Sequence, residues 1–88
     1  MKVKKLENIT KRDSYLYYRN DYHAMAVFVY GKGKEQESVP VEFSVEKNAA
    51  GDTVVNAAVS PQINYPLITA VKKLKEHIEN LQKQGSLP

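Results

Sequence analysis

Gly31-Lys32-Gly33-Lys34 is the glycine-lysine stretch of this chain, and phosphate binding is the chemistry such a stretch could do. A dinucleotide fingerprint needs a third glycine three residues after the second, and then a helix. Here that position is Gln36, and the residues beyond it alternate as a strand. A phosphate loop needs glycine-lysine-hydroxyl opening a helix, which is also missing. The stretch therefore reads as a solvated hairpin loop. Metal chemistry has little to work with, since the chain has His23 and His77 and no cysteine. A structural zinc site takes four nitrogen or sulfur ligands, and a catalytic one three plus water. No metal and no cofactor are expected.

Acid–base and nucleophilic chemistry fare no better. Glu42 and Glu46 share one face of a strand with Ser44 between them, which places the carboxylates ~13 Å apart, outside the ~5–10 Å of paired-carboxylate glycoside hydrolysis. No serine, histidine and carboxylate fall into a nucleophile motif. A chain of 88 residues rarely encloses a dry pocket by itself. The expectation is a protein that is not an enzyme.

Two groups of residues remain. Tyr15, Tyr17, Tyr18 and Tyr22 crowd one region, with Met25 close behind. Exposed tyrosines anchor protein interfaces, and they also fill half-wet sheet faces without any function. These five are the interface candidates. Lys72, Lys73 and Lys75 cluster on a helix, and Lys4 and Lys5 lie near the start of the chain. These five are the candidates for contact with nucleic-acid phosphates.

The distribution of charge weighs between the two groups. The chain carries a net +3. Residues 1–12 hold five basic side chains against one acidic, residues 13–65 four against seven, and residues 66–88 four against two. The central segment is acidic and both ends are basic, so a polyanion would meet attraction only at the ends.

The elements that must position these residues follow from periodicity. Leu67, Val71, Leu74, Ile78 and Leu81 recur at steps of four and three, and Gly85 follows, which predicts a helix over 65–84 with one apolar stripe. Asn64 or Tyr65 is the expected cap, with Pro66 in the first turn. Lys72–Glu76, Lys75–Glu79 and Glu79–Lys83 are pairs four apart that support such a helix. His77 borders the stripe.

Residues 13–60 read as a sheet. His23 to Tyr30 is apolar on both sides, as a central strand would be. Val39, Val41, Phe43 and Val45 alternate with polar residues, with Pro40 suited to a strand start or an edge. Asn48 to Asp52 is a hairpin loop, and Val55, Ala57 and Val59 line one side of a returning strand. Tyr15 to Tyr18 is rich in strand formers, and Arg19-Asn20-Asp21 reads as a turn. Val3, Leu6 and Ile9 step by three, which fits an N-terminal arm or an edge strand.

The order of strands followed by a basic helix resembles that of double-stranded-RNA-binding domains. The resemblance is one of topology alone. The glycine-lysine-lysine that opens the last helix of that family is replaced here by Asn64-Tyr65-Pro66-Leu67, and membership is not assigned.

The expected architecture is a single two-layer α+β domain over residues 1–88. It comprises an antiparallel meander of three or four strands with one C-terminal helix on one face, ordered βββα or ββββα. No stretch reaches the ~20 apolar residues of a membrane span, and no secretory signal is read behind Lys2, Lys4 and Lys5, so a cytoplasmic protein is expected. The expected function is a small non-catalytic protein-interaction module that forms a homodimer through the sheet face the helix leaves uncovered. The alternative is sequence-indifferent nucleic-acid binding by the basic helix face and the N-terminal arm.

Overall fold

A computed structural model describes residues 1–13, 18–31 and 35–88. Four strands, β1 (Lys2–Arg12), β2 (Arg19–Tyr30), β3 (Glu35–Lys47) and β4 (Thr53–Val59), precede one helix, α1 (Leu67–Gln84). The strands form one antiparallel sheet in the order β1-β2-β3-β4. The helix packs across one face, so the fold is the expected ββββα meander.

Register decides which residues meet the helix. Ala24 is opposite Val41, Tyr22 opposite Phe43, Val41 opposite Val59 and Val45 opposite Val55. Directly opposed residues share a face, and this face is apolar on every strand. It joins Ala70, Leu74, Ile78 and Ile63 in one buried cluster.

The stripe on α1 is therefore centred on Ala70, Leu74 and Ile78. Val71 and Leu81 are half-buried, and Leu67 is exposed. Periodicity alone had placed Leu67 with the buried members. It sits in the first turn, where the chain arrives from the sheet edge before the helix lies over the core.

β1 is an edge strand, not a free arm, and its step of three has a structural cause. A regular strand brings every second residue to one face. β1 breaks register against β2 twice, between Val3 and Lys5 and between Glu7 and Thr10. Each break is a bulge that inserts one residue, so Val3, Leu6 and Ile9 all pack against the core cluster. Asn8, in the second bulge, has φ of 54°. Asparagine tolerates that left-handed conformation better than most residues.

Three further expectations need correction. Arg19, Asn20 and Asp21 are not a turn but the start of β2, where Arg19 Nε donates to Asp21 Oδ1 at 2.8 Å. Next, neither Asn64 nor Tyr65 caps α1. Pro66 occupies the N-cap with no side-chain bond, and Asn64 N–H instead donates to Glu37 Oε1 at 3.2 Å. Lastly, the uncovered sheet face holds no exposed apolar patch among the described residues. Val27 and Val29 are buried there, with Lys5 and Ser38 beside Val27 and Lys2 and Gln36 beside Val29. Stems of lysine and glutamine cover apolar neighbours in this way.

The turns behave as their residues require. Asn48 Oδ1 accepts from the N–H groups of Ala50 and Asp52, at 3.0 and 2.9 Å. Gly51 has φ of 86° and Gly85, which ends α1, φ of 69°. Pro40 lies within β3 without cost. Its missing N–H would point toward β4, beyond the last residue of that strand, while its carbonyl accepts from Ser60 N–H at 3.1 Å.

Candidate interaction surface

Every interior strand has two neighbours, so free backbone groups lie on the outer edges of β1 and β4. On β4 the direction of each group follows from one bond. Ser60 N–H donates to Pro40, and antiparallel pairing alternates. Ser60, Ala58 and Asn56 therefore turn their backbone groups toward β3, while Val59, Ala57 and Val55 turn theirs outward. That outward row is an unfilled template for another strand.

The helix begins beside this edge. Ile68 is 86% exposed and Leu67 40% exposed. They line a groove of about 720 Å³ whose floor is Ala57 to Val59 and whose wall is the outer side of α1. Val71 continues the apolar part of the wall, followed by Lys72, Lys75, Glu76 and Glu79. Among the described residues none of these four charged groups makes an ion pair within its own chain. The ion pairs found are Lys5–Glu7 at 3.7 Å, Arg12–Glu42 at 3.0 Å and Arg19–Asp21 at 2.8 Å. The expected support of α1 by pairs four apart does not form.

The tyrosine candidates separate. Tyr15 and Tyr17 lie outside the described residues. Tyr18 is exposed just before β2. Tyr22 is buried in the core, its ring stacked on Phe43 at 4.9 Å between centroids. Its hydroxyl donates to the Pro88 backbone oxygen at 2.9 Å, and burial pushes its pKa up. Tyr22 is thus a core residue and not an exposed anchor, because the register places it opposite Phe43. Met25 is half-buried on the uncovered sheet face, in a shallow hollow of about 570 Å³ with Thr10, His23, Pro40 and Ala58.

The lysine candidates do not converge on one surface. Lys72 and Lys75 share the groove wall with two glutamates, and Lys73 is exposed on the same helix. Lys4 and Lys5 belong to the strand at the opposite edge of the sheet, and Lys5 faces Glu7.

Tyr30 and Tyr65 form a second aromatic pair that sequence reasoning passed over, with ring centroids 5.2 Å apart. Tyr30 donates its hydroxyl to Glu37 Oε1 at 2.5 Å, and Asn64 Nδ2 donates to Glu37 Oε2 at 3.5 Å. Burial first, and then this bond to the carboxylate, push the Tyr30 pKa up. Glu37 thereby ties the connector that leads into α1 to the start of β3. This fixes where the helix begins and hence where Leu67 and Ile68 emerge. No local sequence signal marks it, since Glu37 and Asn64 are 27 residues apart.

Among the described residues no group of three or more His, Asp or Glu side chains is placed to hold a metal, and no helix is long and apolar enough to cross a membrane. The chain belongs to the BB_0187 family, whose profile matches residues 1–83. No curated protein and no solved structure matches it.

Proposed function

We propose that this member of the family is a non-catalytic protein-interaction module that self-associates through the β4 edge and the adjoining start of α1. The observation that carries this reading is the position of Ile68. A large apolar side chain left almost fully in water, next to a second exposed apolar residue and an open strand edge, is the usual mark of an interface. The side-chain chemistry agrees, because the groove wall offers apolar surface and balanced charge but no nucleophile and no paired acids. Action in the cytoplasm belongs to the same proposal, and fractionation of cells carrying a tagged chain tests it.

The scattering of the basic residues weighs against the nucleic-acid alternative. Phosphate binding needs several cations along one track, and the groove wall sets two lysines against two glutamates. The deciding experiment is solution mass by sedimentation equilibrium from low to high micromolar concentration. It is paired with a duplex-binding measurement at physiological salt. The reading requires concentration-dependent association that Ile68→Asp weakens, and no duplex affinity at micromolar protein. A monomer at every concentration, or micromolar duplex binding lost in the triple variant of Lys72, Lys73 and Lys75, would refute it.

A further inference from the structure

The outer side of α1 carries, in order, Lys72, Lys75, Glu76 and Glu79. The order is positive, positive, negative, negative, and it reads the same with signs exchanged when the helix is reversed. An antiparallel copy of the helix, centred between residues 75 and 76, sets Lys72 against Glu79 of the second copy and Lys75 against its Glu76. The two reciprocal pairs follow by symmetry. A two-fold axis requires self-complementarity of this kind.

The strand edge below fits the same axis. The groove joins residues 57–59 of β4 to residues 67–79 of α1, so its mid-points are near 58 and 73. The connector reverses the chain, so α1 runs back against the direction of β4. At ~1.5 Å per helical residue and ~3.3 Å per strand residue, the point between Lys75 and Glu76 lies roughly beside Ala57. Ala57 is one of the residues whose backbone groups face outward. An axis through Ala57 pairs it with its own copy, as the centre of an antiparallel ladder.

We infer that the partner at this surface is a second copy of the chain. The two β4 strands pair antiparallel about Ala57 into one eight-stranded sheet, and the two helices lie side by side with Lys72–Glu79 and Lys75–Glu76 pairs between them. Val59 and Val55 extend the ladder on either side of Ala57. Ile68 falls at the level of the Lys83 stem of the second helix, which covers it as lysine stems cover apolar surface. The strand pairing supplies the bulk of the contact, and the charge order sets direction and register. A parallel arrangement would set lysine against lysine. This inference rests on the self-association proposed above and adds the identity and geometry of the partner.

The test exploits the sign symmetry. One variant carries Lys72→Glu with Lys75→Glu, and the other Glu76→Lys with Glu79→Lys. Alone, each meets its own copy with four like charges, and its dimer dissociation constant should rise by about tenfold or more at low salt. Mixed in equal amounts, the two should form a heterodimer of near-parent affinity, seen by mass or by energy transfer between labelled chains. The salt dependence of the homodimers should invert relative to the parent, because screening now relieves repulsion. Ala57→Pro is the second arm. It removes an outward N–H that the single chain does not use, so helical and strand content should persist while the dimer is lost. Association by the parent, with variants that associate as well alone as mixed, would overturn the charge register. A parent dimer untouched by Ala57→Pro would overturn the strand pairing. Only a monomeric parent would overturn the self-association reading itself, so the two failures are distinguishable.

Discussion

Leu74 and Leu67 occupy the same stripe in the helical repeat and should differ sharply when cut back to alanine. Leu74 is 0% exposed and sits at the centre of the core cluster, whereas Leu67 is 40% exposed. Leu74→Ala removes three carbons from a fully dry site, which at ~0.8 kcal/mol each is about 2.4 kcal/mol before any cavity is counted. A cavity that does not collapse raises the cost toward ~5 kcal/mol. For a domain of 88 residues the whole stability is on the order of 4–13 kcal/mol. Leu74→Ala should therefore remove a large share of it. Leu67→Ala loses only part of the transfer energy and leaves no enclosed void, so about 1 kcal/mol or less is expected. Urea denaturation followed by circular dichroism at 222 nm reads both. Running it at two protein concentrations separates folding from association, since a dimer's midpoint moves with concentration. Equal costs for the two variants, with unchanged m-values, would refute the placement of α1 on the sheet.

Three other outcomes follow from particular bonds and angles. Asn8→Gly should be neutral or slightly stabilising by thermal melting, whereas Asn8→Val should cost ~1–2 kcal/mol, because a β-branched residue resists a φ of 54°. Tyr30→Phe deletes the donor to Glu37 and should cost ~0.5–1.5 kcal/mol in urea titrations, while the second-site change Asn64→Ala should add less than its separate cost, as members of one network couple. His77 has its pKa lowered by burial, so the unfolded chain holds a proton there more readily than the folded one. Stability should thus be full above the ordinary value of about 6.5 and fall as pH drops below it, and His77→Gln should flatten that part of the urea midpoint profile between about pH 5 and 7.5.

Much of the fold could be read from periodicity because each face is chemically uniform. Val39 to Val45 alternates without exception, and the turn at Asn48 to Asp52 carries its own bonding partners. β1 resisted the same reading. Bulges leave no signature of their own in sequence, so a step of three looked like neither strand nor helix. Arg19 to Asp21 looked like a turn because those side chains favour turns. In the sheet their polarity is answered by a mutual ion pair, which no local preference encodes. The interaction surface was the least legible. Composition pointed to the tyrosines, yet Tyr22 is drawn into the core by a neighbour 21 positions away, Phe43. What left Leu67 and Ile68 outside is the point at which the helix enters, set by Glu37 and Asn64 across the fold.

The two register breaks in β1 bear on how many chains can join. A strand edge propagates pairing only if its outward donors and acceptors keep an even spacing, and each break shifts that spacing by one residue. β1 also presents Lys2, Lys4, Lys5 and Lys11, so a like edge brought against it meets both misaligned amides and charge of the same sign. Of the sheet's two outer strands, then, one can accept a neighbour and the other is closed to it. A molecule with a single usable edge cannot grow a filament. Addition through β4 consumes the only growing end of each chain, and the stoichiometry terminates at two.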